Sequence, residues 1–244
     1  MANLRYGLKE VANVIFFDVS TGKPVIFFDT LKVSTIENTS ESAEARGGQG
    51  NGKLMSWDFG RTATLTMQDA LLSDLSLSLL AGTTVKDADV EIVGREVLTV
   101  ASETVTLKQT PITGTLNVYK VEKGVMTEEI TGATNADKVV TLTGLADGDQ
   151  VMAFYSYTSA TGSTQVTFSA DKFPATYKVV GDTIVRGEDG VDRVMQFVIP
   201  KAKLQTNFTL TMEAENVSTF DFTLDVLVDL ASEDKKLYDI IRVN

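Results

Sequence analysis

The sequence predicts a mainly β fold: a sandwich or barrel with one flanking α-helix and an inserted β-rich module. Three observations predict it. Runs rich in Val, Ile, Phe and Thr recur along the 244 residues, separated by turns bearing Gly, Asp and Pro. Apolar and polar residues alternate at period two through most of these runs. One segment alone, DALLSDLSLSLLAG (Asp69–Gly82), carries its leucines at helical spacing.

The first strands are NVIFFDV and PVIFFDTLKVSTI, joined by the turn STGKP, and VIFFD occurs twice, at Val14–Asp18 and Val25–Asp29. Both faces of these strands are apolar, which predicts burial on both sides. The polar stretch ENTSESAEARGGQGNG, Glu37–Gly52, follows. It lacks the apolar residues to build a core and reads as a long loop, disordered in the isolated chain. Alternation then resumes, placing Met55, Trp57, Phe59, Ala63, Leu65 and Met67 on one face and making Trp57 a core residue. In the helix Leu71, Leu72, Leu75, Leu79 and Leu80 share a side, with Asp69 as N-cap and Gly82 as C-cap.

Between Val85 and Thr164 come EVLTVASETVTL, TLNVYKV, KVVTLTGL and QVMAFYSYT, with turns spaced about every 8–12 residues as in an immunoglobulin-like module. Residues 85–164 are therefore expected to form an insertion, and 1–84 plus 165–244 a discontinuous core. VMAFYSYT is alternatively a strand of the core sheet. The chain ends in FPATYKVVGDTIVRG, RVMQFVIPKAKL and a hairpin in which Phe208, Leu210 and Met212 oppose Phe220, Leu224 and Val226 across AENVST.

Composition excludes several function classes. There is no cysteine and no histidine, so disulfides, thiolate chemistry and histidine-based catalysis or metal binding are absent. Lys+Arg 22 against Asp+Glu 33 gives a net charge of -11, which argues against gripping a nucleic-acid backbone. No apolar run approaches the roughly 18 residues of a membrane span, and MANLRYGLKEV lacks the apolar core of a secretory leader, so synthesis in a cytoplasm is expected.

GGQGNGKL matches G-x-x-x-x-G-K, but Leu54 replaces the magnesium-binding Ser or Thr and a strand, not a helix, follows. GEDGVD and ADGD read as turns, not calcium loops. No catalytic, cofactor or metal site is expected, and the chain reads as a non-enzyme.

That leaves the polar stretch. Glu37, Glu41 and Glu44 make one end acidic, Arg46 and Lys53 the other basic, with Gly47, Gly48, Gly50 and Gly52 between and beside them. Ordering such a loop costs on the order of 1 kcal/mol or more per residue. A polymer, repeating the same contact in every subunit, could offset that cost.

The order of elements, with KLMSWDFGRTATLTMQDALLSDLSLSLLAG (Lys53–Gly82) and the stretch Phe173–Leu227, resembles the tail tube (major tail) proteins of tailed bacteriophages. The resemblance implies a structural virion protein made in the bacterial host cytoplasm and located in the tail. It implies homohexameric rings whose inner strands join into one barrel, stacked into a tube through which DNA passes without specific binding. By position it assigns Glu37–Gly52 and the adjoining Lys53–Trp57 to inter-ring contact, and it admits sheath or tail-tip proteins as partners. A capsid decoration protein or a β-sandwich binding or adhesin module are the alternatives.

Overall fold

The computed structural model describes residues 5–87, 89–159, 161–212, 214 and 219–243. The chain divides into two compact units, Met1–Val85 with Val166–Asn244, and Lys86–Gln165.

The first unit begins with β1 (Tyr6–Leu8), β2 (Asn13–Asp18), β3 (Pro24–Phe28), β4 (Leu31–Gly47), β5 (Gly52–Asp69) and α1 (Asp74–Ala81). β2 and β3 pair as the expected hairpin, with Ile15 opposite Phe27. Asp18 closes its turn by accepting from Ser20 and Thr21, bonds that hold its carboxyl at about 2. Burial on both faces is not what the strands have. Val14, Phe16, Ile26 and Phe28 are buried, whereas Ile15 and Phe17 are half-buried and Phe27 is exposed. The second apolar face is left uncovered in the single chain.

The helix starts later than its leucines suggest. β5 keeps pairing through Asp69, whose carboxylate instead accepts from the Thr30 hydroxyl at 2.5 Å and from the Leu71 N–H. Ser73 is the N-cap, in a reciprocal box with Ser76. Leu71 and Leu72 precede the helix and are exposed, as is Leu75, while Leu79 and Leu80 enter the core. Gly82 ends the helix as expected, in the left-handed conformation at φ 64°.

The second unit holds β6 (Val90–Thr99), β7 (Thr104–Thr106), β8 (Asn117–Glu122), β9 (Val125–Glu129), β10 (Thr134–Ala136), β11 (Val139–Thr141) and β12 (Gln150–Ser159). Sheets ordered β6-β12-β8-β9 and β10-β11-β7 share one apolar core that includes Val105, Val118, Val140, Leu142 and Val151. VMAFYSYT is therefore part of β12 inside this unit, flanked by β6 and β8.

A polar cluster centred on the buried Tyr155 borders that core. The Tyr155 hydroxyl donates to Glu96 Oε1 and accepts from the Gln109 N–H, and Lys108 N–H also reaches Glu96 Oε1. Glu96 Oε2 is buried without a partner. Burial first, then the Glu96 contact, pushes the Tyr155 phenol up to about 12. Tyr155→Phe is expected to cost about 1–3 kcal/mol, because it strips partners from buried groups. The raised value means the phenol's contribution is complete below the ordinary 10 and lost as pH rises through about 12. Alkaline unfolding followed by circular dichroism checks this: the Phe variant should lack that part of the loss.

The first unit resumes with β13 (Thr176–Gly187), β14 (Asp192–Leu204), β15 (Phe220–Val226) and β16 (Asp239–Arg242). Its strands run β3-β2-β13-β14-β15-β5-β4, with β1 added to β13 and β16 to β14. The sheet curls over its own core. Phe28, on the end strand β3, lies 5.1 Å from Phe222 on β15, and the two end strands β3 and β4 are joined through Asp29 and Thr30. Leu65, Met67, Val179, Ile199 and Leu224 fill the interior with Leu79 and Leu80 of α1.

The expected final hairpin has only its return strand. β15 pairs along its full length with β5, so the segment before it is not needed as a ladder partner. Phe208 is not in a strand and packs against Phe168 and Phe220, while Leu210 and Met212 are exposed. Most of the AENVST corner lies outside the described residues.

Candidate assembly site

β4 and β5 pair from Leu31 opposite Asp69 out to Gly47 opposite Gly52. The barrel end of this pair is core: Leu31, Ala63, Leu65 and Met67 are buried. Beyond Ala63 neither strand has a buried residue, and the pair continues as a two-stranded arm.

This corrects the reading of Glu37–Gly52 as a disordered loop. The main-chain ladder orders it, since backbone N–H and C=O groups pair whatever the side chains. Only Gly48, Gln49, Gly50 and Asn51 form the tip, where the Asn51 N–H donates to the Gly48 carbonyl at 3.1 Å. Gly48 and Gly50 have φ of 81° and 83°, which explains glycine at both.

The predicted site residues are spread along the arm. Glu37, Glu41, Glu44, Arg46 and Gly47 lie on β4, Gly48 and Gly50 at the tip, Gly52 and Lys53 on β5. Only three charges meet. Glu44 accepts from Lys53 Nζ at 2.6 Å and from Arg46 Nε at 2.9 Å. Lys53 first, then Arg46, holds the Glu44 carboxyl below its ordinary value. These charges are satisfied within one chain, so they do not wait for a partner. Glu37 stands opposite Thr64 and Glu41 opposite Phe59, away from that cluster.

The residues that single-face alternation misplaced are the more telling ones. Thr39 opposes Thr62 and Glu41 opposes Phe59, so β5 spends one residue more than β4 across this step. The bulge contains Gly60 at φ 62°. An extra residue exchanges the faces of a strand. Phe59, Trp57 and Met55 therefore share the side of Thr62 and Thr64, not that of Ala63, Leu65 and Met67. Trp57 is not a core residue: it is 56% exposed, with Phe59 at 52% and Met55 at 58%. Ala43 lies opposite Trp57 and Ala45 opposite Met55, so the arm presents an apolar face with small residues on one strand and large ones on the other. Gly60 was the available signal, since glycine inside an alternating run marks a bulge.

The apolar face of the arm is a surface whose chemistry asks to be covered. No helix among the described residues is long and apolar enough to cross a membrane. A family model described as the YomU/Tube protein family matches residues 6–240. No curated protein matches the chain.

Proposed function

From the chain's membership of the YomU/Tube protein family, we infer that it is a structural subunit of a phage tail tube. Subunits form hexameric rings, and rings stack into a hollow conduit through which DNA passes without being specifically bound. The protein is made in the host cytoplasm and resides in the virion tail, where sheath or tail-tip proteins are its further partners.

The observation that carries this reading is the ordered arm with its exposed Met55, Trp57 and Phe59. Fully burying such a side chain contributes about 1.5–3 kcal/mol. The arm's own ladder already fixes its backbone, so little ordering entropy opposes that gain. The contact between rings is thus made by the apolar face, and the Glu44–Arg46–Lys53 cluster serves to hold the tip in shape. An arm that meets a different patch on the next copy makes a head-to-tail contact, which propagates along an axis instead of closing.

Negative-stain electron microscopy of the purified chain at rising concentration tests this. Rings and stacked hollow tubes are expected. Discrete small oligomers at every concentration would overturn it in favour of a capsid decoration protein.

A further inference from the structure

A second uncovered apolar surface lies at the end of β5 away from the arm. There β3, an end strand of the sheet, forms one bank of a groove, and the segment leading from β5 into α1 forms the other. Val25 and Phe27 line the first bank, and Leu71, Leu72 and Leu75 the second. Phe27 and the three leucines are all exposed, Leu71 at 63%. The groove encloses about 540 Å³, within the range of roughly 300–1,000 Å³ common to pockets that hold a ligand. Four large exposed apolar side chains around one concavity mark a contact surface.

The walls of the groove are already fixed. The Ala70 N–H donates to the Thr30 carbonyl at 3.1 Å, and the Leu71 N–H and the Thr30 hydroxyl both donate to Asp69. Ser73 and Ser76 lock the start of the helix beside them. Preorganised surfaces lose little conformational freedom on docking, and the arm at the other end of the strand is held by its own ladder.

Charge separates the candidates for the occupant. The charged side chains on the groove's border are Asp29 and Asp69, and no Lys or Arg lines it. A second groove brought against it would set carboxylates against carboxylates and leave the arm bare. The arm's outer end, Glu44–Lys53, carries Arg46 and Lys53 against Glu44 alone, a surplus of positive charge. Behind that end stand Met55, Trp57 and Phe59, each more than half exposed.

We propose that this groove is the seat of the arm: Trp57 and Phe59 of one copy enter between Phe27 and Leu72 of the next. This rests on the tube reading and names the surface that the arm meets. β5 carries the arm at one end and leads into the groove at the other, so each subunit donates to one neighbour and accepts from another. A single kind of contact covers both apolar surfaces. Because it joins unlike patches, it propagates from copy to copy instead of pairing off.

The absence of cysteine makes the test direct. A chain carrying Met55→Cys and Leu72→Cys, both exposed positions, keeps Trp57, Phe59 and Phe27 in place. Assembled and treated with a short bismaleimide, it should run on a denaturing gel as a ladder of covalent chains longer than two subunits. Each single variant, treated alike, should stay monomeric. A second pair, Ala43→Cys with Leu71→Cys, repeats the measurement with all three large side chains of the arm intact, and the same ladder is expected. Tubes of either double variant that yield only monomers would overturn the groove assignment while leaving the tube standing. Dimers from Leu72→Cys alone would set groove against groove, and dimers from Met55→Cys alone arm against arm; either overturns the assignment as well. Parent subunits that form no tubes would overturn the tube reading itself, and the pairing with it.

Discussion

Tubes are expected to stop elongating at ordinary concentrations when Trp57 and Phe59 are both replaced by Ser, while the subunit stays folded. Neither ring belongs to the core cluster, and each is about half exposed in the single chain. Their replacement therefore leaves Leu65, Met67, Phe222 and the other interior contacts intact. Covering the remaining exposed half of both rings would contribute about 2–3 kcal/mol per arm. That corresponds to roughly a thirty- to hundredfold higher concentration threshold for stacking. Light scattering against concentration, with electron microscopy of the products, reads the threshold. Circular dichroism and urea denaturation of the unassembled chain should match the parent. Tubes appearing at the parent's threshold would mean that the arm's apolar face is not what joins successive rings.

The second large effect is expected inside the fold, from Gly82→Ala. Gly82 has φ 64°, and a Cβ built there would lie 2.2 Å from the Phe173 carbonyl oxygen and 2.5 Å from its carbon. The left-handed conformation alone costs a non-glycine residue about 1–3 kcal/mol. The collision is with backbone, which cannot rotate away as a side-chain tip can, and overpacking adds about 1–3 kcal/mol. The same residue closes α1 through bonds from Gly82 N–H to Leu79 and from Thr83 N–H to the Ser78 carbonyl. Moving it would unseat Leu79 and Leu80 from the core.

A loss of about 2–5 kcal/mol is therefore expected in urea denaturation. Gly144→Ala is the control: its φ is 90°, but nothing lies within 4 Å of the added carbon. Equal losses at the two positions would show that conformation alone matters and that the close approach of Phe173 does not.

Much of the barrel was legible because its strands alternate and are separated by turn residues. The pairs β2–β3 and β13–β14 can be drawn from VIFFD, STGKP and GEDGVD with little else. The helix was legible at its C-terminus, where Gly82 has a specific conformational task. At its N-terminus Asp69 was a plausible cap by residue type, but β5 had already claimed it, and Ser73 with Ser76 formed the cap instead. The arm was the least legible part. Residues 37–52 carry no large apolar side chain, so no hydrophobic period fixes their register, and what orders them is the main-chain ladder, which leaves no trace in composition. Gly60 then broke the parity of an otherwise convincing pattern. The candidate site was thus located by position in the chain, while its chemistry was read from the wrong residues: charges that satisfy one another, in place of rings that do not.

The continuity of β5 from Gly52 at the arm's tip to Asp69 beside the helix has a mechanical consequence. A pull on the arm along its length travels down a strand that is bonded to β4 on one side and, from Ala63 onward, to β15 on the other. Antiparallel hydrogen bonds lie perpendicular to their strands, so such a pull loads them in shear, and the bonds must yield together instead of opening one after another. A tail built from these subunits would carry tension from ring to ring through uninterrupted strands, with the threads anchored in each barrel's own interior.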